Sequence, residues 1–213
     1  MSVNKDYNEK QGQILTTAES LFSEKGFDGT SVRDIAEKAG VNVAMISYYF
    51  GSKEKLMETI FERRTEHIRL RVESLMKDDS IDYIGKVHLI IDEHIEKAFS
   101  KFQFYKLMVC EQVINKNPVI LDIIKEVKKR NMQVITELIR KGQEAGVFRS
   151  DVDVILLFST MYGTVSHMII GSDLYREISG LTHLSEEEYY QHLKQLLSKH
   201  LKQIFKAILT HEA

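Results

Sequence analysis

The stretch Ser31-Val-Arg-Asp-Ile-Ala-Glu-Lys-Ala-Gly-Val-Asn-Val-Ala-Met-Ile-Ser-Tyr-Tyr-Phe50 decides the fold. Ser31 with Asp34 three residues on reads as a capping box opening a short helix. The apolar residues of that helix, Val32, Ile35, Ala36 and Ala39, lie three or four apart, as one buried face requires. Gly40 ends it, Asn42 caps a second helix, and Ile46, Tyr49 and Phe50 mark the second helix's apolar side. Two short helices joined by a tight glycine-containing turn form a helix-turn-helix, which presents the N-terminal residues of its second helix to base edges in the major groove. Neither helix is long enough to be stable alone, so a third must pack across both. The residues upstream provide it. Ile14, Leu15, Ala18, Leu21 and Phe22 predict an amphipathic helix over about 8–25, and Gly26 follows where a helix C-cap favours positive φ.

Charge sharpens this only locally. The first 56 residues carry seven basic side chains and eight acids, and the chain has a formal net charge of −2, so no general basic surface announces a nucleic-acid partner. From Ala39 through Lys53, however, there is no acidic residue. One surface is therefore free to approach phosphates without like-charge repulsion.

Downstream, Ser52 caps a long fourth helix with apolar positions Leu56, Ile60, Ile68, Val72 and Leu75. Its middle, Glu62 to His67, is polar on nearly every face, as expected of a helix bridging two cores. Ile84 to Phe99 predicts a fifth helix and Phe104 to Val109 a sixth. Asn117-Pro118 reads as an N-cap with a first-turn proline, opening a seventh helix through Leu138. The run from Val152 to Gly171 predicts an eighth helix, buried on most sides and too often interrupted by polar residues to span a membrane. Ser185 with Glu188 opens a last helix through Ile208. No strand-like alternation persists, so the fold is all-α: an N-terminal three-helix helix-turn-helix domain (8–56) and a larger C-terminal helical domain (57–213), about nine helices in all. A single cysteine, Cys110, allows no internal disulfide. With a polar N-terminus unlike a signal peptide, it points to the cytoplasm.

The quoted stretch sits inside a longer pattern. Ile14-Leu-Thr-Thr-Ala-Glu-Ser-Leu-Phe-Ser-Glu-Lys-Gly-Phe27, Thr30 through Val41, and Ile46-Ser-Tyr-Tyr-Phe-Gly-Ser-Lys-Glu-Lys-Leu56 together resemble the tetracycline-repressor (TetR) family. Gly142 through Phe148 resembles the phrase before the penultimate helix in many members. The resemblance implies a homodimeric DNA-binding regulator, a repressor released from a palindromic double-stranded operator when a small-molecule effector binds the C-terminal domain. Carried over position by position, it implies that Thr30, Ser31 and Arg33 meet the backbone or a base and that Asn42 caps the recognition helix. It also implies that Val43, Ala44 and Met45 face bases, and that Tyr48, Tyr49 and Lys53 hold phosphates. At Ser47 this chain departs from the family's usual aromatic, and at Val43 it lacks a polar reader. Readout is then expected to rest on apolar contact with thymine methyls, since no bidentate hydrogen bond is on offer there. The same departures keep a second reading alive, a helical protein-binding adaptor that has lost DNA binding.

Among the aromatic and methionine residues of the C-terminal part, Phe99, Phe104, Met108 and Tyr162 are candidate linings of an apolar ligand pocket. His167, expected inside the apolar eighth helix, is a candidate polar contact, because a buried polar group needs a partner. His88, Asp92 and His94 do not share one helix face and form no expected metal site. No phosphate loop, nucleophile elbow or metalloprotease motif occurs, so neither cofactor, metal nor enzymatic activity is expected. The predicted dimer forms through 152–171 and 185–209, because a helix apolar nearly all round is hard for one chain to bury.

Overall fold

The computed structural model describes residues 7–114 and 118–210, with the backbone alone at 65–69 and 114. The expected cap at Asn117 and the expected apolar contact of Ile68 lie outside the described residues. Ten helices and no strand occur among the described residues: α1 (Glu9–Lys25), α2 (Val32–Lys38), α3 (Val43–Phe50), α4 (Lys53–Met76), α5 (Tyr83–Ser100), α6 (Phe102–Ile114), α7 (Pro118–Glu144), α8 (Val154–Ile170), α9 (Ser172–Ile178) and α10 (Glu186–Leu209). The helix beyond the nine expected is α9, a short segment following Gly171. The chain divides into two compact units, Met1–Glu66 with Lys106–Val127 and His67–Tyr105 with Lys128–Ala213.

In the first unit the caps expected at Ser31 and Asn42 form, and α1 carries one that was not expected. Asn8 and Gln11 close a capping box on α1, as Ser31 and Asp34 do on α2, while the Asn42 side chain accepts from the Ala44 N–H at α3. These groups satisfy amide hydrogens that a helix start leaves without an intrahelical partner. Gly26 ends α1 at φ 76°, and Gly40 turns the chain between α2 and α3 at φ 62°, a region where a side chain is strained. The core beneath consists of Ile14, Leu15, Ala18, Phe22, Phe27, Ile35, Ala36, Ile46, Leu56 and Met57, all buried. Two short helices thereby gain from tertiary burial the stability that their length denies them.

The second unit is organised around α5, which packs along α10 and also touches α8. One continuous apolar core runs through Val87, Ile91, Ile95, Leu138, Phe158, Val165, Leu193, Leu201 and Phe205. The α7–α8 connection is fixed tightly. A Cβ added to Gly142 would stand 2.2 Å from the Phe148 ring, and the Arg149 amide donates to the Leu209 carbonyl at 2.8 Å, tying the loop to the end of α10. The sequence led us to expect α8 to be buried on most sides, but only one face is. Leu157, Phe158, Met161, Val165 and Ile169 are buried, whereas Ile155 and Leu156 stand 67% and 64% exposed. No single described helix is long and apolar enough to cross a membrane, and α8 and α9, which meet that test only jointly, bend by 76°.

Candidate nucleic-acid interface

The exposed side of α2 and α3 gathers most of the residues expected at DNA. Ser31, Arg33, Asn42, Val43, Ala44, Ser47 and Tyr48 are exposed, and Met45 and Tyr49 are half-buried. Tyr48 is 84% exposed and rests edge-on against Tyr49, ring centroids 5.2 Å apart. An aromatic ring so far into water gains little from the protein itself and offers a hydroxyl to a partner. The Ser31 and Asn42 side-chain oxygens cap α2 and α3. Asp34, an acid in the first turn of α2, is tied down. Its carboxylate accepts from the Ser31 amide at 2.9 Å and hydroxyl at 2.8 Å, and these bonds hold its pKa below the usual carboxylate range.

Two expected residues lie elsewhere. Thr30 is 1% exposed, and its hydroxyl donates to the Leu21 and Gly26 carbonyls at 3.1 and 2.9 Å. It closes the C-terminal end of α1 from inside the core and presents no side chain to DNA. Lys53 is half-buried. Its ammonium donates to the carbonyls of Phe27 and Thr30 at 2.9 and 3.0 Å and sits 4.2 Å from the Phe27 ring centroid.

Comparison with known proteins places this geometry. Residues 14–60 match the model described as bacterial regulatory proteins, tetR family, and residues 87–200, more than half of the chain, match the tetracyclin repressor-like C-terminal domain. This chain belongs to the tetR family. It is a DNA-binding transcriptional regulator. The transcriptional repressor KstR2 of Mycobacterium tuberculosis is 24% identical over 153 residues, 71% of this chain and 75% of that protein. Among solved structures, the fatty acid degradation regulator FadR of Bacillus halodurans has a TM-score of 0.72 at 21% identity, covering 93% of this chain and 97% of its own. The Bacillus subtilis regulator FadR, solved in complex with stearoyl-CoA, has a TM-score of 0.68 at 19% identity, covering 89% and 96%. These two likenesses concern the fold.

In the second unit of this tetR-family chain the polar side chains that turn inward differ from those expected. His167 is exposed on the outward face of α8 because it shares that side with Gly163 and Ile170, one helical turn away in either direction. Phe99 packs against Phe102 and Tyr190. Phe104 is buried in the second unit, whereas Met108 belongs to the first. Of the expected pocket residues, Tyr162 joins a polar cluster. His94, buried on α5, meets the Tyr162 ring edge-on at 4.6 Å, and its Nε2 lies 3.4 Å from the Tyr105 hydroxyl. That hydroxyl lies 3.4 Å from the Ser166 hydroxyl. Burial first, then the nearby Lys128 and Lys97 charges, push the His94 pKa down to about 4. Burial and the neighbouring Tyr105 push that of Tyr162 up to about 12. All three rings are neutral near pH 7. Beside them Val72, Ile90, Glu93, Ile135 and Met161 help line a cavity of about 10 Å³, room for one water.

His94 was legible in principle: with Ile91, Ile95 and Ala98 it occupies the apolar side of α5, and a histidine there is committed to the interior. Tyr105 and Ser166 carry no comparable local signal.

Proposed function

We propose that this regulator represses transcription as a homodimer whose two α3 helices read the half-sites of a palindromic operator, and that an effector held by the second unit releases it. The observation that carries the reading is the exposed, acid-free surface of α3, capped at its start by Asn42 and carrying Tyr48 out in water in its last turn. Arg33, Val43, Ala44, Met45 and Ser47 face the base edges. Tyr48 and Tyr49 hold the backbone, and Ser31 and Asn42 fix both helix starts. The domain division follows function, with DNA reading in 8–56 and effector binding with dimerisation in 57–213.

The dimer forms through the outward face of α8 and through α10. Leu156, Gly163, His167 and Ile170 recur along one side of α8, and Leu196 and Ile208 are exposed on α10. Exposed apolar side chains recurring on one side of a helix fit an association site. The effector enters at the His94–Tyr105–Tyr162–Ser166 cluster. A cavity of water size means that any larger ligand displaces lining side chains, and this displacement is what couples binding to release. Since one structural relative was solved with stearoyl-CoA, a long-chain acyl thioester is the first effector to try. A gel shift on the DNA flanking its own gene, repeated with stearoyl-CoA, tests the whole reading. A retarded band that weakens with salt and disappears with the thioester is expected. Unretarded DNA at micromolar protein refutes DNA binding, and a band unmoved by the thioester refutes that effector alone.

A further inference from the structure

The geometry points to Lys53 as a positioning residue for DNA reading: its ammonium fastens the first turn of α4 to the α1–α2 turn and so sets where α2 begins. The inference rests on the DNA-reading function above and assigns Lys53 a role other than holding a phosphate. An ammonium carries three donors and no acceptor. Here two are directed at the Phe27 and Thr30 carbonyls, and the charge lies over the face of the buried Phe27 ring, where the ring's negative quadrupole attracts a cation.

The turn it grips leaves little freedom. Gly26 holds φ 76°, and a Cβ on Gly29 would come within 2.2 Å of the Lys25 carbonyl oxygen. The Thr30 hydroxyl occupies the Leu21 and Gly26 carbonyls. Lys53 occupies the Phe27 and Thr30 carbonyls, and Thr30 immediately precedes Ser31, the cap of α2. Lys53 is thus the tie from α4 onto the residue from which α2 leaves the turn. A second fastening lies three turns further along α4, on the same side. There the Arg64 guanidinium donates to both oxygens of the nearly buried Glu19 carboxylate on α1, at 2.7 Å each. Between them, Lys53 and Arg64 join this half of α4 to α1 and to the start of α2. A compact ammonium suits the first place, where two carbonyls and a ring converge. The planar fork suits the second, where it meets a carboxylate.

The test compares Lys53→Met, which removes both hydrogen bonds, with Lys53→Gln, which keeps one donor and serves should the first variant not fold. Lys55→Gln, on an exposed side chain of the same helix, is the control for loss of charge. The probes are the duplex that wild-type protein selects from a random-sequence library, poly(dI-dC) as nonspecific DNA, and a salt series at a temperature where circular dichroism shows each variant folded. Affinity of the Lys53 variants for the selected duplex should fall about tenfold, since the Thr30 carbonyl loses its ammonium donor and the Phe27 carbonyl keeps only the Thr30 amide at 3.3 Å. Nonspecific binding and the salt slope should stay at the wild-type values. A slope shallower by about 0.9 would make Lys53 a phosphate contact, and unchanged affinity for the selected duplex would remove the positioning role; either result overturns the inference. Amide exchange provides a readout without DNA. The Lys53 variants should speed exchange over residues 29–35 while leaving 43–50 unchanged, and equal protection over 29–35 would contradict the tie. If wild-type protein selects no sequence, the DNA-reading function fails, and the exchange result alone decides the tie.

Discussion

In the first unit the proposed DNA-facing surface comes from a run of 20 consecutive residues, Ser31 to Phe50, each placed by a cap, a turn glycine or an apolar neighbour within that run or just before it. In the second unit His94, Tyr105 and Ser166 come from three helices, and the Tyr105–Ser166 contact joins residues 61 apart. The first surface is proposed to meet a partner of fixed shape, the DNA groove. The second faces inward and is built by packing. Local chemistry fixes one site and tertiary contacts fix the other, so substitutions should affect them differently: surface changes in the helix-turn-helix part of the first unit (the head) alter binding without altering stability, whereas changes inside the second unit (the body) alter both.

The largest expected effect tests the body's outward face. Leu156→Asp places a charge at the N-terminal end of the α8 stripe in the proposed dimer contact, at a cost of about 3 kcal/mol or more if that contact is dry. Sedimentation at micromolar concentration should show a monomer with unchanged circular dichroism. A dimer as tight as wild type would move the interface away from α8.

The next separates head from body by pH. His94 is neutral in the folded chain down to about pH 4, whereas an unfolded histidine titrates near 6.5. Between those values the unfolded chain binds the extra proton, so stability is complete above about pH 6.5 and is lost as pH falls toward 4. The loss amounts to about 3 kcal/mol in order of magnitude. The groups around His94 are the Tyr105 hydroxyl and the Tyr162 ring, with Glu93 beside it in the cavity wall and the Lys97 and Lys128 charges nearby. Melting profiles from pH 7 to 4.5 should therefore be flatter for His94→Phe than for wild type. Parallel profiles would mean that the buried imidazole does not govern the acid response.

How much of this could be read beforehand follows the same division. Nine of the ten described helices, both capping boxes at α2 and α10, and the helix-turn-helix were legible, because periodicity, caps and turn glycines are local signals. The short α9 was not, since residues 172–178 offer only Leu174, Tyr175 and Ile178 as apolar positions and no proline or side-chain cap announces a new helix. Thr30 was expected at the DNA and lies in the core, because the same hydroxyl suits a phosphate or a helix-end carbonyl, and only the folded turn decides. His167 was expected inside because α8 is apolar nearly all round, and the sequence does not say which side meets its own chain. Lys53 shows the limit most plainly: a lysine at a helix start invites a phosphate in sequence, yet in the folded head two carbonyls reach it.

Smaller effects belong to the head. Tyr48→Ala should weaken operator binding about tenfold, the value of a hydrogen bond to a charged phosphate, while changing stability by no more than about 0.5 kcal/mol. A lowered melting temperature with unchanged binding would make Tyr48 structural. Smaller still, replacing operator thymines by uracil should cost up to about 1 kcal/mol at the positions met by Val43, Ala44 or Met45, since a methyl contact is worth less than a bidentate pair. Equal affinity at every substituted position would leave Arg33 or DNA shape as the source of specificity.

The most direct test of the central claim is footprinting of the DNA flanking its own gene across a salt series. The account predicts protection of a palindromic site by wild-type protein, with half-site centres about one helical turn or a multiple apart, log affinity falling steeply and linearly with log salt, and protection weakened by Tyr48→Ala. An unprotected flank, with no sequence selected from random DNA either, would contradict it.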